Sequence, residues 1–128
     1  MVIKLLEKSK VISLILTILI TIEIFYFSSL EGIPGAGGSV WFARIYHFSV
    51  FFLFSFFLFV LIKGNKKIKP KYILAVLFIS IIHAFLDEFH QIFVPGRDAN
   101  ITDILTDTIG VFLAVIIYSW ASRKKLKS

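Results

Sequence analysis

The segment from Asp87 to Gly110 reads DEFHQIFVPGRDANITDILTDTIG and sets Asp87, Glu88, His90, Arg97, Asp98, Asp103 and Asp107 between two long apolar runs. In a bilayer such groups are costly, and they are usually buried, paired and functional. Asp87 and Glu88 could work as general base and acid or hold a cation. Neighbours on a helix point about 100° apart, so these two are not expected to form one tight carboxylate pair. Glu88 is expected to reach Arg44 or the following loop, with Asp87 facing the bundle beside His83. Arg97 follows the turn residues Pro95 and Gly96. Its planar guanidinium suits the fork of oxygens on a phosphate or carboxylate. Equally, it could pair with Asp87, Asp98 or Asp103 and lock the hairpin. His47 could donate to a substrate or shuttle a proton, being the side chain with an ordinary pKa nearest neutrality.

Spacing groups these residues further. His83, Asp87 and His90 fall at i, i+4 and i+7, one helical face, with Glu88 and Gln91 on the adjoining stripe. Such a face resembles a metal-ligand set with Asp103 as a fourth donor. No HExxH-type signature is present, and lone histidines at helix ends usually hydrogen-bond, so no metal and no cofactor are assigned. Asp103, Asp107 and Gly110 repeat the same spacing, and Gly110 would let another helix approach beside those acids. Arg44 and His47 stand at i and i+3. Asp87 and Asp103 would repel each other in a short hairpin unless Arg97, Arg44, a proton or a metal compensates. Glu23 reads as a pocket member, and Ser28 and Ser29 as interhelical hydrogen bonders.

The elements that must position these groups are membrane helices. The 128 residues are 58% hydrophobic, with 15 Phe, one Met and no Cys. The mean hydropathy of +0.89 exceeds that of an ordinary soluble domain. The absence of Cys excludes a disulfide framework and a thiolate metal site. Crossing the hydrocarbon core takes roughly 20 apolar residues per helix. Four runs qualify, at about 11–30, 45–62, 72–94 and 101–121, predicting an all-α, integral membrane four-helix bundle as a single domain over 1–128. Gly32, Pro34, Gly35, Gly37 and Gly38 break the first pair, Gly64, Asn65 and Pro70 the second, Pro95 and Gly96 the third. The first run is long and lacks a small-x-small pattern before residues 35–37, so it is expected to remain as a span. No lipidation motif is visible. The phenylalanine-rich run at 50–59 reads as lipid-facing and packing surface.

Charge predicts the orientation. Of the 14 basic residues, all but Arg44 and Arg97 flank one set of span ends, which the positive-inside rule makes cytoplasmic together with both termini. Glu23, Glu31, Asp87, Glu88, Asp98, Asp103 and Asp107 fall with the three histidines on the opposite half. The chemistry is therefore expected to face outward from a multi-pass cell-membrane protein. The net charge of +6 reads as this topology signal plus attraction to anionic lipid. Nucleic acid is not an expected partner, since the lysines flank spans and form no aromatic-interleaved patch.

The run Asp87-Glu88-x-x-Gln91-x-Phe93-x-Pro95-Gly96-Arg97, followed by Asp103, Asp107 and Gly110, resembles the VanZ-like membrane proteins. Phe27-Ser28-Ser29 at the end of the first span and Arg44-x-x-His47-Phe48 at the start of the second carry the same resemblance. It covers nearly the whole chain. Family members commonly have Asn at the position of Asp107 and often Lys at that of Arg44, so Asp107 adds an acid to the pocket. The family is named after a protein linked to low-level teicoplanin resistance. The resemblance implies the cell envelope more firmly than it implies a reaction.

Three functions fit these residues. The first is recognition of an anionic lipid or lipid-linked cell-wall precursor, with Arg97, Arg44 and His47 on the head. In that reading Asp87, Asp103 and Asp107 orient the arginines, and Phe93 lies on the tail. The second is a small intramembrane phosphoester hydrolase or transferase using Asp87, Glu88 and His47. It lacks an evident nucleophile, and the lipid-phosphatase Ser-Gly-His and Arg-x5-His-x3-Asp elements are missing. The third is a structural or partner-binding subunit. Four helices offer little surface for a transporter, so a homo-oligomer or a membrane-protein partner is expected.

Overall fold

Hydrocarbon offers the backbone no hydrogen-bond partner, so a continuous apolar run satisfies itself as a helix. A computed structural model of the protein describes residues 6–31, 40–97 and 99–125. It contains four long helices: α1 (Lys10–Ser29), α2 (Val40–Lys63), α3 (Pro70–Gln91) and α4 (Ile101–Lys125). All four are long and apolar enough to cross a membrane. No strand occurs among the described residues, and the fold is all-α. The glycines and proline expected to break the first pair at 32–38 lie outside the described residues.

Local chemistry sets the helix ends. The Ser9 hydroxyl caps α1 by accepting from the Ile12 N–H at 3.4 Å. Pro70 opens α3, where its missing N–H costs nothing. Gly64 follows α2 at a φ of 53°, the left-handed conformation that closes a helix, and its N–H donates to Val60 O at 2.8 Å. The Asn100 side chain caps α4 through the Thr102 N–H at 2.9 Å. Two of the differences between the expected spans and the helices bear on the site. The apolar run predicts a third span reaching Val94, yet α3 ends at Gln91 and 92–96 form turns, because a residue before proline disfavours the helical conformation. The second was expected from Ile45, yet α2 starts at Val40, so Arg44 lies inside a helix that has no breaker there.

The bundle is rhombic. α2 packs on all three other helices, α3 also meets α1 and α4, and α1 and α4 do not pack on each other among the described residues. This central place explains the phenylalanine run: Phe51, Phe54 and Phe59 are buried core, so much of α2 packs against protein. Between α2 and α3, Ser55 donates to Ser80 at 2.9 Å with both side chains fully buried. Gly110 on α4 lets the α2 backbone in so close that an added Cβ would stand 2.5 Å from Phe48 O. Outward-pointing Trp41, Phe42, Phe78, Phe85 and Trp120 form part of an exposed apolar coat suited to lipid.

The two ends of the bundle differ. At one, Lys63 Nζ contacts Glu7 Oε1 at 2.8 Å, and the Tyr118 hydroxyl donates to the same oxygen at 2.8 Å. Lys63 also lies 5.5 Å from the Tyr118 ring centroid, tying the chain before α1 to α2 and α4. The other end carries the acids and the turn after α3.

Candidate functional site

Turn chemistry explains how Arg97 is aimed. In Val94-Pro95-Gly96-Arg97 the Arg97 N–H donates to Val94 O at 3.1 Å, and Gly96 has a φ of 73°. Proline then glycine with positive φ is the pattern of a type II turn. It folds Arg97 back over the end of α1, where Nε donates to Leu30 O at 3.1 Å and a terminal nitrogen to Phe27 O at 2.9 Å. The last carbonyls of a helix lack intrahelical partners and carry partial negative charge, so a guanidinium is well placed there. Arg97 is thus held by backbone carbonyls; Asp87 and Asp103 are not its partners, and Asp98 lies outside the described residues.

The same stretch of α1 fixes the central acid. The Ser28 hydroxyl donates to Asp87 Oδ1, and Gln91 Nε2 donates to Asp87 Oδ2 at 3.1 Å and to Ser28 Oγ at 3.3 Å. Asp87 and Gln91 are one helical turn apart, which lets one amide orient the carboxylate. Ser29 Oγ and His90 Nε2 lie 2.9 Å apart, and the His90 ring packs, tilted, on Phe25. The serine pair therefore joins α1 to α3, as read from its position.

From α2, His47 reaches the same place. It is buried, and its Nδ1 stands 3.2 Å from Asp107 Oδ1 on α4, a carboxylate with no exposed surface. Glu88 reaches the loop: one oxygen accepts the Asn100 N–H at 2.8 Å, and Oε1 is buried without a hydrogen-bond partner among the described residues. One donor atom each from His47, Asp87 and Glu88 lies within 4.8 Å of the others. The adjacent acids thus do converge, although not as a tight pair. The extra torsion of Glu88 offsets the 100° between their Cβ directions.

A cavity of about 320 Å³ opens beside this cluster. Ile24, Phe27, Phe42, Val50 and Phe51 make its apolar walls, and Glu23, His47, Asp87 and Arg97 its polar part. Five of the expected residues stand back from it, Glu88 among them with its carboxylate on the Asn100 N–H. Gln91 and Asp107 act behind the wall on Asp87 and His47. Arg44 is half-buried with its guanidinium 5.3 Å from the Trp41 centroid, and Asp103 is half-buried in the first turn of α4, its N–H on Asn100 O at 2.9 Å. Phe93 is exposed and packs on Phe89, away from the cavity lining. The helical face proposed from spacing divides: His83 lies among the rings of Phe51 and Phe54 while His90 meets α1, so the two do not gather around Asp87. Tyr46, to which the sequence assigns no role, lines the cavity with a buried hydroxyl that has no hydrogen-bond partner among the described residues. Its place beside His47 was the only available signal.

No curated protein and no solved structure matches the chain. The sequence profile of the VanZ/LLP1 family matches residues 5–122, nearly the whole length. This four-helix membrane-spanning chain belongs to the VanZ/LLP1 family.

Proposed function

We propose that the protein recognises an envelope lipid, or a lipid-linked cell-wall precursor, in the cavity between α1 and α2. The observation that carries this reading is the cavity's division into apolar walls and a polar part holding Glu23, His47, Asp87 and Arg97. Ligand sites are commonly apolar clefts with a few convergent polar groups. A guanidinium has five N–H donors, and the carbonyls of Phe27 and Leu30 take two, so Arg97 retains capacity for an anionic group. Asp87 and Glu23 suit hydroxyl or amine donors on the same head. The acyl or prenyl chain would follow Ile24, Phe42 and Val50. Such a head combines an anion with hydrogen-bond donors, as lipid-linked sugars and amino-phospholipids do. The basic residues flanking the opposite end support a site facing out of the cell, where a change in precursor access fits the family's association with teicoplanin resistance.

A second reading, a structural knot between helices, is favoured by Arg97 on the α1 carbonyls and by the Ser28–Asp87–Gln91 set. Filling the cavity without touching that knot separates the two. Ala43 lines the cavity and is exposed, so Ala43→Phe should leave the polar contacts in place. Native mass spectrometry of protein released from its own membranes should show a co-purifying anionic lipid on wild type and its loss from Ala43→Phe. Wild type without lipid would sink the proposal.

A further inference from the structure

We propose that His47, Asp87 and Glu88 form a binding site for a divalent transition-metal cation, with Asp107 as the residue that positions His47. This inference does not rest on the lipid reading, because metal binding is measured on the protein alone. Its first support is geometric. One nitrogen or oxygen from each of the three side chains lies within 4.8 Å of the others, and the three come from two different helices. Donors around zinc stand 2.0–2.2 Å from the ion, so they need only a small inward adjustment to share one.

The second support is charge. His47, Asp87 and Glu88 are 6%, 5% and 2% exposed, and Asp107 is 0% exposed. No lysine or arginine pairs with any of these three carboxylates among the described residues; Asp107 meets His47, an ion pair only when the imidazole is protonated, and the lysine–carboxylate pair there is Glu7–Lys63. Arg97, the nearest cation on the cavity wall, is committed to the carbonyls of Phe27 and Leu30. Buried charges in proteins are paired or coordinate metals. Glu88 Oε1 and both carboxylate oxygens of Asp107 are buried and without a hydrogen-bond partner among the described residues.

The third support is orientation. A ligating histidine generally has its other ring nitrogen on a carboxylate or carbonyl, which fixes the tautomer and raises ligand basicity. Asp107 Oδ1 stands 3.2 Å from Nδ1 of His47, off hydrogen-bond geometry but on the side that leaves Nε2 for an ion. Asp87 is equally well held, by Ser28 and Gln91, and a carboxylate oxygen that accepts one hydrogen bond keeps a lone pair for a metal. One imidazole and two carboxylates suit Zn²⁺, Mn²⁺ or Fe²⁺ better than Mg²⁺ or Ca²⁺, which prefer all-oxygen sets. Three protein ligands leave coordination positions open, and His47 and Asp87 both line the cavity, so an added ligand would approach from there.

The test is equilibrium dialysis of the full chain in detergent, purified without a metal-affinity tag, against Zn²⁺ and Mn²⁺ separately, with elemental analysis of the retained ion. Wild type should retain about one ion per chain. Glu88→Gln and His47→Ala should each weaken retention at least tenfold, and Asp107→Asn by about 10–100-fold. X-ray absorption of the Zn²⁺-loaded wild type needs no variant to fold, and should show one imidazole among oxygen donors. Failure of folded wild type to retain either ion at millimolar concentration would overturn the proposal, with protons then neutralising the acids. So would unchanged binding in His47→Ala, or a spectrum with no imidazole or more than one.

Discussion

At the scale of single residues, burial forces every charge to find a partner, and the two ends of the bundle solve this differently. Lys63 and Glu7 are 6% and 2% exposed and form a direct pair at 2.8 Å, completed by the Tyr118 hydroxyl and Gly64 O. Removing one member of a buried pair strands the other, typically at about 3–5 kcal/mol. Lys63→Met should therefore lower the stability of the detergent-solubilised protein by roughly that amount in chemical unfolding. The double variant Lys63→Met with Glu7→Leu should regain much of the loss. A single variant as stable as wild type would mean that the pair is not formed. Membership of the opposite cluster was legible in the sequence, because Asp87, Glu88 and Asp107 among apolar neighbours are too costly to be incidental. Partner choice was not. Arg97 takes carbonyls at the end of α1, groups that every residue carries and no side-chain pattern reveals, and Ser28 reaches Asp87 across 59 positions of sequence.

At the scale of elements, apolar run length announced the four helices, and glycine or proline placed most of the breaks. The ends were harder to read, because a span's hydropathy continues past the residue at which its helix stops. Ile92, Phe93 and Val94 are as apolar as the helix before them, yet Pro95 and the turn that aims Arg97 exclude them from α3. Gly110 was legible for its size, but not for which helix uses the space. The α2 backbone at Phe48 and Phe52 fills it, and a Cβ cannot be accommodated by rotating a side chain. Gly110→Ala should push α4 off α2 and cost about 1–3 kcal/mol, the usual range for overpacking. Thermal unfolding in detergent reads this, and an unshifted midpoint would contradict the close approach. Because α4 carries Asp107, the same displacement should draw that carboxylate away from His47.

At the scale of the whole molecule, the rhombic packing puts α2 at the centre and gathers His47, Asp87, Glu88 and Asp107 from three helices at one end. The positive-inside rule makes that end external, a proposal that labelling can check cleanly because the chain has no Cys. Ala99→Cys in the loop before α4 should react with a membrane-impermeant maleimide in intact cells, and Lys66→Cys only after permeabilisation. The reverse pattern would turn the site inward. Whether the polar end is a binding site or a knot is the central question, and lipid retention measured beside stability answers it. Wild type, Ala43→Phe and Arg97→Ala should be released from the same membranes, weighed by native mass spectrometry and unfolded by heat. The expected result is lipid on wild type, an unfolding midpoint close to wild type but no lipid for Ala43→Phe, and a lowered midpoint for Arg97→Ala. Ala43→Phe that keeps its lipid at the wild-type level would contradict a ligand seated in the cavity between α1 and α2.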